Sequence, residues 1–296
     1  MKFAISGANS SVGRNLLGHI AARSEFSAVS VVRSDRAAAT LPAGPNLGWE
    51  VLDYSDAARL AAVFEGVSVL VHLAGVLFEG PGASYAEANV ETTRAVASAA
   101  EAAGVEHVIF VSALGANAAS VNGYYRSKGE AEAVVAAARS AATVLRTPML
   151  LGSGSAAGDA LMRMAQRSTV AMLGGGRQQL RPLDIDDLSR AILAAAARVP
   201  EVCVIHELAG PETVTYRRLL ARLASRLGRD VRIVPVPVAP VRLAAAVGRR
   251  LFGRGMSPDV VDVITADETV ARNADEALGI ALTPLDATLA KLIEDR

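Results

Sequence analysis

The sequence predicts an α/β fold, in which a doubly wound parallel sheet is followed by a smaller C-terminal α/β lobe. The first half of the 296-residue chain alternates short runs rich in Val, Ile and Phe with alanine-rich helical segments. Runs that are apolar throughout are typical of strands buried on both faces of a parallel sheet. A glycine-containing turn joins the first apolar run to the first helical segment. Because such units wind with right-handed crossovers, a ligand is expected beyond the carboxyl ends of the strands.

Six strands and four helices are expected in this half. Residue types that fit a buried sheet predict strands at 2–6, 28–32, 49–52, 67–73, 105–112 and 142–145. Helical periodicity and alanine content predict helices at 12–22, 56–65, 86–103 and 124–139. Asp56 is a suitable N-cap, and Gly66 and Gly104 are suitable helix ends.

The regular alternation breaks after about residue 150, at a Gly/Ser-rich loop. We therefore expect a dinucleotide-binding domain over 1–150 and a smaller substrate or partner lobe over 151–296, with some exchange of chain between them. The later segments are expected to form a separate layer, with a helix from about 184, a strand at 202–208, a helix at 216–227, the run VRIVPVPV, and helices near 241 and 284.

Composition excludes several classes of function. Thirty basic and thirty acidic residues cancel, so no net positive field favours nucleic-acid binding. The four histidines are scattered, which argues against a metal site. One cysteine cannot form an internal disulfide, and the first residues have too short an apolar run for a secretory signal. No apolar stretch is long enough for a membrane span, so a cytoplasmic or peripheral membrane protein is expected.

The turn in KFAISGANSSVGRNLL is the main binding signal. Gly7 and Gly13 stand between a strand and a helix, where backbone N–H groups at a helix N-terminus bind phosphate. Ser10 occupies the middle position, where glycine usually lets pyrophosphate approach, although its hydroxyl could donate a hydrogen bond instead. The alternative is a tight turn that only packs helix on strand. The residues predicted to bind a dinucleotide here are Gly7, Asn9, Ser10, Ser11, Val12 and Gly13.

Arg33 lies twenty residues beyond Gly13, in VVRSDR, where the residue that recognises the adenosine ribose is expected. A carboxylate there accepts from the 2′-hydroxyl of NAD, whereas a guanidinium binds the 2′-phosphate of NADP. Arg33, with Arg36 and Arg14 nearby, therefore predicts NADP. NAD stays open because Asp35 could accept a ribose hydroxyl, and a solvated loop arginine is the alternative.

A set of motifs resembles one known family over nearly the whole chain. GANSSVG, VLDYSD, VLVHLAG, YAEANVETT, FVSALGA, YYRSK and LRTPMLLG occur in the order seen in extended and atypical short-chain dehydrogenases/reductases. GGGRQQLRPLDIDDLSRAI and HELAGPETVTYRRLL resemble the later half of these proteins. The subgroup most similar to this sequence contains the NAD(P)H-binding accessory subunit of respiratory complex I and its bacterial relatives.

The resemblance implies further cofactor contacts. Asp53 would accept from the adenine amino group, and backbone of the segment after the fourth strand would line adenosine and ribose. Asn89 would lie behind the active site, and Pro148, which follows strand six, would lie beside nicotinamide. Asp53 has the alternative of capping a turn, and Asn89 that of a solvated helix residue. By this resemblance, the cofactor-lining residues after the fourth strand are Leu73, Ala74 and Gly75, and the one after the sixth strand is Pro148.

The YxxxK element carries the chemistry. Tyr124 and Lys128 are four residues apart and share one face of a predicted helix. A phenol titrates near 10, so a neighbouring cation is needed for proton exchange near neutral pH. In the family the tyrosine is the acid/base, and the lysine also binds the nicotinamide ribose. Ser112 is the third catalytic candidate, but Ala113 stands where the family usually has a second hydroxyl.

The residues favour an NAD(P)-dependent oxidoreductase or epimerase acting on a small molecule, with hydride transfer to or from nicotinamide. The departures at Ser10 and Ala113 keep a second hypothesis open. In it, the chain is a non-catalytic NAD(P)H-binding accessory or sensor protein, associated with a membrane. Pairing of large-domain helices would make a homodimer.

A late segment, 239–254, predicts a basic amphipathic helix. Arg242, Arg249 and Arg250 would occupy one side. Such a helix would contact a membrane surface or a partner protein, whereas the alternative is an ordinary core-facing helix. The opposite, apolar side would comprise Val241, Ala244, Ala245, Gly248, Leu251 and Phe252.

Overall fold

A seven-stranded, entirely parallel sheet forms the centre of the computed structural model, which describes residues 1–80, 83–252 and 256–294. Its first six strands are β1 (Lys2–Ser6), β2 (Ser27–Val32), β3 (Leu47–Val51), β4 (Val69–His72), β5 (His107–Ala113) and β6 (Ala141–Thr147). The six predicted strands are confirmed, with ends shifted by up to two residues. The doubly wound α/β class is confirmed as well.

Later strands are short. They are β7 (Leu150–Leu151), β8 (Thr169–Leu173), β9 (Gln179–Leu180), β10 (Leu183–Asp184), β11 (Val204–Glu207), β12 (Val214–Thr215) and β13 (Arg232–Val236). The order in the large sheet is β11-β6-β5-β4-β1-β2-β3, and three two-stranded sheets pair β10 with β7, β12 with β9, and β13 with β8.

The helices follow the predicted alternation. They are α1 (Ser11–Ala21), α2 (Asp35–Ala38), α3 (Ala57–Val63), α4 (Thr92–Ala102), α5 (Gly123–Ala137), α6 (Ala156–Ala165), α7 (Ile185–Ala196), α8 (Tyr216–Arg226), α9 (Val238–Phe252), α10 (Pro258–Thr265), α11 (Asp275–Leu278) and α12 (Leu285–Glu294). A π-helical turn, Ala86–Glu91, precedes α4, and a short 3₁₀ segment spans Gly174–Gly176. Every described helix is too short or too polar to cross a bilayer.

Helices cover both faces of the large sheet. On one face α1 and α7 bury Leu16, Ile20 and Ile192 against strand residues such as Ile5 and Ile109. On the other face α3, α4 and α5 pack on the alternate strand residues. A third cluster, between α6, α8 and α12, forms the core of the small lobe.

The expectation that every later segment forms a separate layer is wrong for β11. This strand pairs in parallel with β6, Val204 opposite Thr143, and becomes the edge of the large sheet. A parallel partner satisfies the backbone groups that β6 would otherwise leave unpaired. Helix α7 also packs on α1, so the second half of the chain contributes to both lobes.

The acidic cluster at the start of α7 ties three helices together. Asp184 is the N-cap of α7 and accepts from Thr288 and Lys291 of α12. Asp186 accepts from Asn15 of α1 at 2.9 Å, and its second oxygen accepts from Lys291 at 2.7 Å. The cluster therefore stabilises a helix start and its packing, as the sequence position suggested.

We expect Asp186→Asn to lower the free energy of unfolding by about 1–2 kcal/mol at neutral pH, because it removes charge-assisted hydrogen bonds. The hydrogen bond with His19, followed by those with Lys291 and Asn15, holds the pKa of this carboxyl well below its usual value. The stability it contributes is therefore present above the unfolded pKa near 4, and it declines as pH falls toward the lower folded pKa.

Denaturant unfolding of wild type and Asp186→Asn at neutral and acid pH measures this contribution. The matched control is Glu276→Gln, an exposed carboxylate of α11 without a side-chain hydrogen bond to any residue in the described ranges. Equal losses of stability in both variants would contradict the role given to Asp186.

Candidate functional site

The glycine turn lies at the carboxyl edge of the large sheet, between β1 and α1. Gly7 has a φ of +72°, and a Cβ added there would lie 2.6 Å from the backbone nitrogen of Ala74. A Cβ on Gly13 would collide with the carbonyl oxygen of Ala8. Only glycine at these two positions lets the turn approach the segment after β4 and lets α1 pack against the turn.

Ser10 is the N-cap of α1. Its Oγ accepts a hydrogen bond from the N–H of Gly13 at 3.1 Å. The hydroxyl proton is not used in that bond, so it can still be donated to an anion. The N–H groups of Ser11 and Val12, in the first turn of the helix, have no intrahelical partner. The helix start therefore offers several donors to a phosphate group.

A cavity of about 170 Å³ opens beside this turn. Seven of the residues predicted to bind a dinucleotide line it, together with four residues that the sequence analysis did not assign to binding. Six predicted residues are not in its lining, namely Ser11, Val12, Gly13, Asp53, Lys128 and Pro148. The predicted residues are Gly7, Asn9, Ser10, Arg33, Leu73, Ala74 and Gly75, and the additional ones are Tyr54, Val76, Ala88 and Thr92.

Arg33 follows β2 at the rim of this cavity. Its side chain is exposed and forms no ion pair with another residue that the structure describes. Asp53 is also exposed, and its carboxylate accepts the backbone N–H of Ser55 at 2.9 Å. Hydrogen bonding from Ser55 is the main reason that the pKa of Asp53 lies below its usual value, and the charge of Arg33 adds a smaller effect. Asp53 thus forms a turn beside the guanidinium.

Tyr54 supports the turn and was missed by the sequence analysis. Its hydroxyl accepts from the N–H of Gly7 at 2.8 Å and donates to the carbonyl of Val31 at 3.2 Å. The ring is buried, and burial raises the pKa of the phenol. The only feature of the sequence that could have indicated this role of Tyr54 was its position after Asp53 in VLDYSD. The phenol ties β2, the glycine turn and the loop after β3 together.

Asn89 connects the cavity to the helix that carries the YxxxK element. Its side chain accepts from the N–H of Val76 at 2.7 Å and donates to the Oγ of Ser127 at 2.9 Å. A Cβ on Gly75 would lie 2.8 Å from its Oδ1. Asn89 is 1% exposed, so the alternative of a solvated helix residue is wrong.

His72 extends this buried network to β1. One ring nitrogen lies 2.6 Å from the Oγ of Ser6 and the other lies 2.9 Å from the Oγ1 of Thr93. Thr93 in turn donates to the carbonyl of Asn89. Burial, with a smaller effect of the Lys128 charge, lowers the pKa of His72 to about 3. The imidazole is therefore neutral and acts as a connector of the strand ends.

Tyr124 lies in the first turn of α5, which Asn122 caps. Its ring centroid is 5.9 Å from that of Tyr85 and 5.7 Å from that of Tyr125. Burial is the main cause of a pKa well above the usual value for a phenol. Without a ligand the hydroxyl of Tyr124 therefore holds its proton firmly.

Lys128 points to the end of β5. Its ammonium donates to the carbonyl of Val111 at 2.9 Å and lies 4.2 Å from the ring centroid of Phe110. Burial lowers the pKa of this ammonium to about 8. The geometry brings Lys128 to the strand end that bears Ser112, and within the described residues its ammonium donates to backbone and not to the phenol of Tyr124.

Ser112 has an unused hydroxyl. Its side chain is 4% exposed, and its Oγ forms no hydrogen bond with any residue in the described part of the chain. Alternation along a strand places it on the same face as Phe110, over which Lys128 lies. A buried, unpartnered hydroxyl beside the YxxxK helix is the kind of group that a ligand satisfies. Ala113, the last residue of β5, contributes no hydroxyl.

Glu268 is a second residue that sequence reasoning missed. Its two carboxylate oxygens accept the backbone N–H groups of Met149, at 2.6 Å, and Arg181, at 3.1 Å. Burial raises its pKa. Glu268 therefore fixes the chain directly after Pro148 to the small lobe. Within the described ranges, no group of three or more His, Cys, Asp or Glu side chains is placed to hold a metal ion.

We expect Tyr54→Phe to weaken dinucleotide binding about tenfold, because the variant leaves the N–H of Gly7 without its partner and loosens the turn. Calorimetric titration with NADPH measures the loss. The matched control is Tyr216→Phe, a half-buried phenol of the small lobe. Unchanged affinity in Tyr54→Phe, or an equal loss in both variants, would contradict this support of the turn.

Two curated proteins share sequence with this chain. A ceramide reductase of Caulobacter vibrioides is 28% identical over 248 residues, which cover 82% of this chain and 76% of that protein. The mitochondrial NADH dehydrogenase (ubiquinone) 1 alpha subcomplex subunit 9 of Arabidopsis thaliana is 26% identical over 245 residues, 78% of this chain. The match spans only 61% of the length of the plant subunit.

Solved structures share the fold. MoeE5 in complex with UDP-glucose and NAD superposes with a TM-score of 0.77 at 20% identity, covering 100% of this chain and 98% of that one. UDP-glucuronic acid 4-epimerase from Bacillus cereus in complex with NAD also gives 0.77, at 14% identity and 99% coverage of both chains. Together with the relatives above, these similarities confirm the resemblance inferred from the sequence motifs.

Residues 7–197 match a protein family described as NAD(P)H-binding. The matched region is more than half of the chain, and it includes the glycine turn, the cavity beside it and the YxxxK helix. The chain therefore belongs to the NAD(P)H-binding family.

Proposed function

We propose that this protein is an NAD(P)(H)-dependent oxidoreductase that interconverts a carbonyl and an alcohol. The observation that carries the proposal is the buried Ser112 hydroxyl near the carboxyl end of β5, which has no partner in the described part of the chain, beside the carbonyl of Val111 that accepts from the Lys128 ammonium. The half-buried phenol of Tyr124 lies one turn before Lys128 on α5. Asn89 joins α5 directly to the segment that lines the cavity beside the glycine turn.

The residues of the cavity fit a dinucleotide. The first turn of α1 would hold the pyrophosphate, the backbone at Ala74 and Gly75 would line the adenosine, and Arg33 would lie beside the ribose. The dinucleotide, when bound, supplies or accepts a hydride at the substrate carbon. The cradle depends on Gly7, where a side chain would meet backbone of the opposite segment.

Tyr124 is assigned the proton transfer. In the reducing direction the substrate carbon gains the hydride while the phenol donates its proton to the carbonyl oxygen, and in the oxidising direction the phenolate takes the proton back. The cation at Lys128 stabilises the phenolate formed in between. Ser112 is assigned a hydrogen bond to the reacting oxygen, which would satisfy its free hydroxyl. The same groups would serve an epimerase, which removes and returns one hydride.

We propose NADP as the preferred cofactor, with NAD as the alternative. Arg33 is exposed at the cavity rim and is not engaged by an acidic partner among the described residues. A free guanidinium at this position favours a ligand that carries a 2′-phosphate.

For the substrate, the ceramide reductase relative supports a carbonyl on a long-chain lipid as the first class to assay. The UDP-sugar complexes support the fold and place no substrate here. A second candidate function is a nucleotide-binding accessory protein, and one specific observation favours it. Ala113 lacks a hydroxyl and the Lys128 ammonium is hydrogen-bonded to the Val111 carbonyl, so the site without ligand is not arranged for turnover.

We expect Tyr124→Phe to reduce kcat by about a hundred- to ten-thousandfold while NADPH still binds, because it removes the proton donor and leaves the cavity intact. Steady-state rates on lipid carbonyls, quinones and nucleotide sugars, beside calorimetry with NADPH, make the measurement. Tyr125→Phe is the matched control, since it removes the neighbouring phenol. Undiminished turnover in Tyr124→Phe would refute the acid/base role, and binding without turnover by wild type would support the accessory function.

We expect Arg33→Ala to weaken NADPH binding by about ten- to a hundredfold and NADH binding much less, because only NADPH offers the guanidinium a phosphate. Arg139→Ala, an exposed arginine after α5, controls for the loss of one positive charge. Equal losses for the two cofactors would count against a contact with the 2′-phosphate.

A further inference from the structure

Helix α9 of the small lobe turns an apolar face to the surface. Leu243 is 66% exposed and Val247, one turn later, is 48% exposed. Residues four apart lie on the same side of a helix, so these two side chains form one stripe. Pro240 and Ala246 are also exposed beside it. We call the set of Pro240, Leu243, Ala246, Val247 and Arg250 the α9 face.

The exposed stripe of Leu243 and Val247 lies opposite the side of α9 that was expected to make the contact. On that expected side Val241, Ala245 and Gly248 are half-buried and Ala244 is exposed, and α9 packs on α10. The side chains of Arg249, Leu251 and Phe252 and the residues 253–254 lie outside the described part of the chain. A helical wheel shows which residues share a side, but only packing decides which side is covered.

Exposed apolar side chains are concentrated in this part of the sequence. Of the twelve large hydrophobic residues that are exposed among the described residues, five fall between 234 and 264. They are Val234 on β13, Leu243 and Val247 on α9, Met256, and Ile264 on α10. A local excess of exposed apolar surface marks an interaction site more often than scattered residues do.

The same part of the chain is basic. Residues 211–254 contain ten arginines and two acidic residues, Glu212 and Asp230, a net charge of +8 in a chain whose total is zero. Arg232 and Arg250 are exposed and form no ion pair with any residue in the described ranges.

Ion pairs compensate part of this charge. Asp262 of α10 accepts two hydrogen bonds, of 2.8 and 3.1 Å, from Arg242, and Asp286 of α12 pairs with Arg222 and Arg226, each at 2.9 Å. The carboxylate of Asp259 lies against Gly123 of α5, where a Cβ would be 2.8 Å from its Oδ2. The α9 face is therefore apolar at its centre, and its arginine, Arg250, has no ion-pair partner in the described part of the chain.

We propose that the α9 face docks on the surface of an anionic phospholipid bilayer. Leu243 and Val247 enter the boundary between headgroups and acyl chains, and Arg250 contacts headgroup phosphates. Charge decides between this occupant and a second copy of the chain, because two-fold pairing would bring identical basic surfaces together. The small apolar area gives reversible binding that weakens as salt screens the headgroups.

Flotation of the purified full chain with vesicles tests the proposal, and it needs neither cofactor nor substrate. We expect the chain to float with vesicles of phosphatidylcholine and phosphatidylglycerol at low salt, and to float much less with phosphatidylcholine alone or at high salt. Leu243→Ala/Val247→Ala should reduce partitioning about tenfold. The matched control is Val199→Ala/Val202→Ala, which truncates two valines that are 54% and 70% exposed in a loop of the large lobe.

Circular dichroism and thermal unfolding test whether both double variants keep the fold. Three outcomes would overturn the proposal. They are wild type that floats with neither vesicle type, flotation that is independent of anionic lipid and salt, and equal losses in the two double variants. Sedimentation velocity supplies a fourth outcome that would overturn the proposal. If wild type forms a dimer but does not float, and Leu243→Ala/Val247→Ala is monomeric, the occupant of the α9 face is a second copy of the chain.

Discussion

The close approach of two backbone segments at the carboxyl edge of the large sheet is the constraint on which the site depends. The turn after β1 reaches the segment after β4 so closely that no side chain fits at Gly7. The phenol of Tyr54 holds the turn there by accepting its N–H. The first turn of α1 and the cavity beside it are placed by this contact. Nucleotide binding in this family member is thus a property of backbone geometry at two strand ends.

Behind the cavity, buried polar side chains join the strand ends to the catalytic candidates. His72 bridges Ser6 and Thr93, and Asn89 bridges Val76 and Ser127. Every member is satisfied by a partner, which is the condition under which a buried polar network specifies one arrangement. The neutral imidazole of His72 suits this role, because a charged ring would be strongly destabilised at that depth. The network makes the position of α5, and hence of Tyr124, depend on the cavity.

Whether this site can catalyse a reaction or only bind a nucleotide depends on the position of the Lys128 ammonium. Lys128 donates to the end of β5 and lies over Phe110, while burial keeps the phenol of Tyr124 protonated. This arrangement suits proton donation to a carbonyl better than proton abstraction from an alcohol. The free hydroxyl of Ser112 is the group that a bound substrate or cofactor would engage.

Alternation of apolar strands with alanine-rich helices was sufficient to predict the fold class, the first six strands and the glycine turn, because these features are local and periodic. The positions of Tyr54, His72 and Glu268 in the site could not be predicted, since their partners lie far away in sequence and are brought near only by folding. For the same reason the sequence did not predict that β11 joins the large sheet or that α9 exposes Leu243 and Val247. Sequence thus determined which residues can form each element, while tertiary packing decided which faces and strand edges meet, because burial and pairing depend on neighbours that periodicity does not specify.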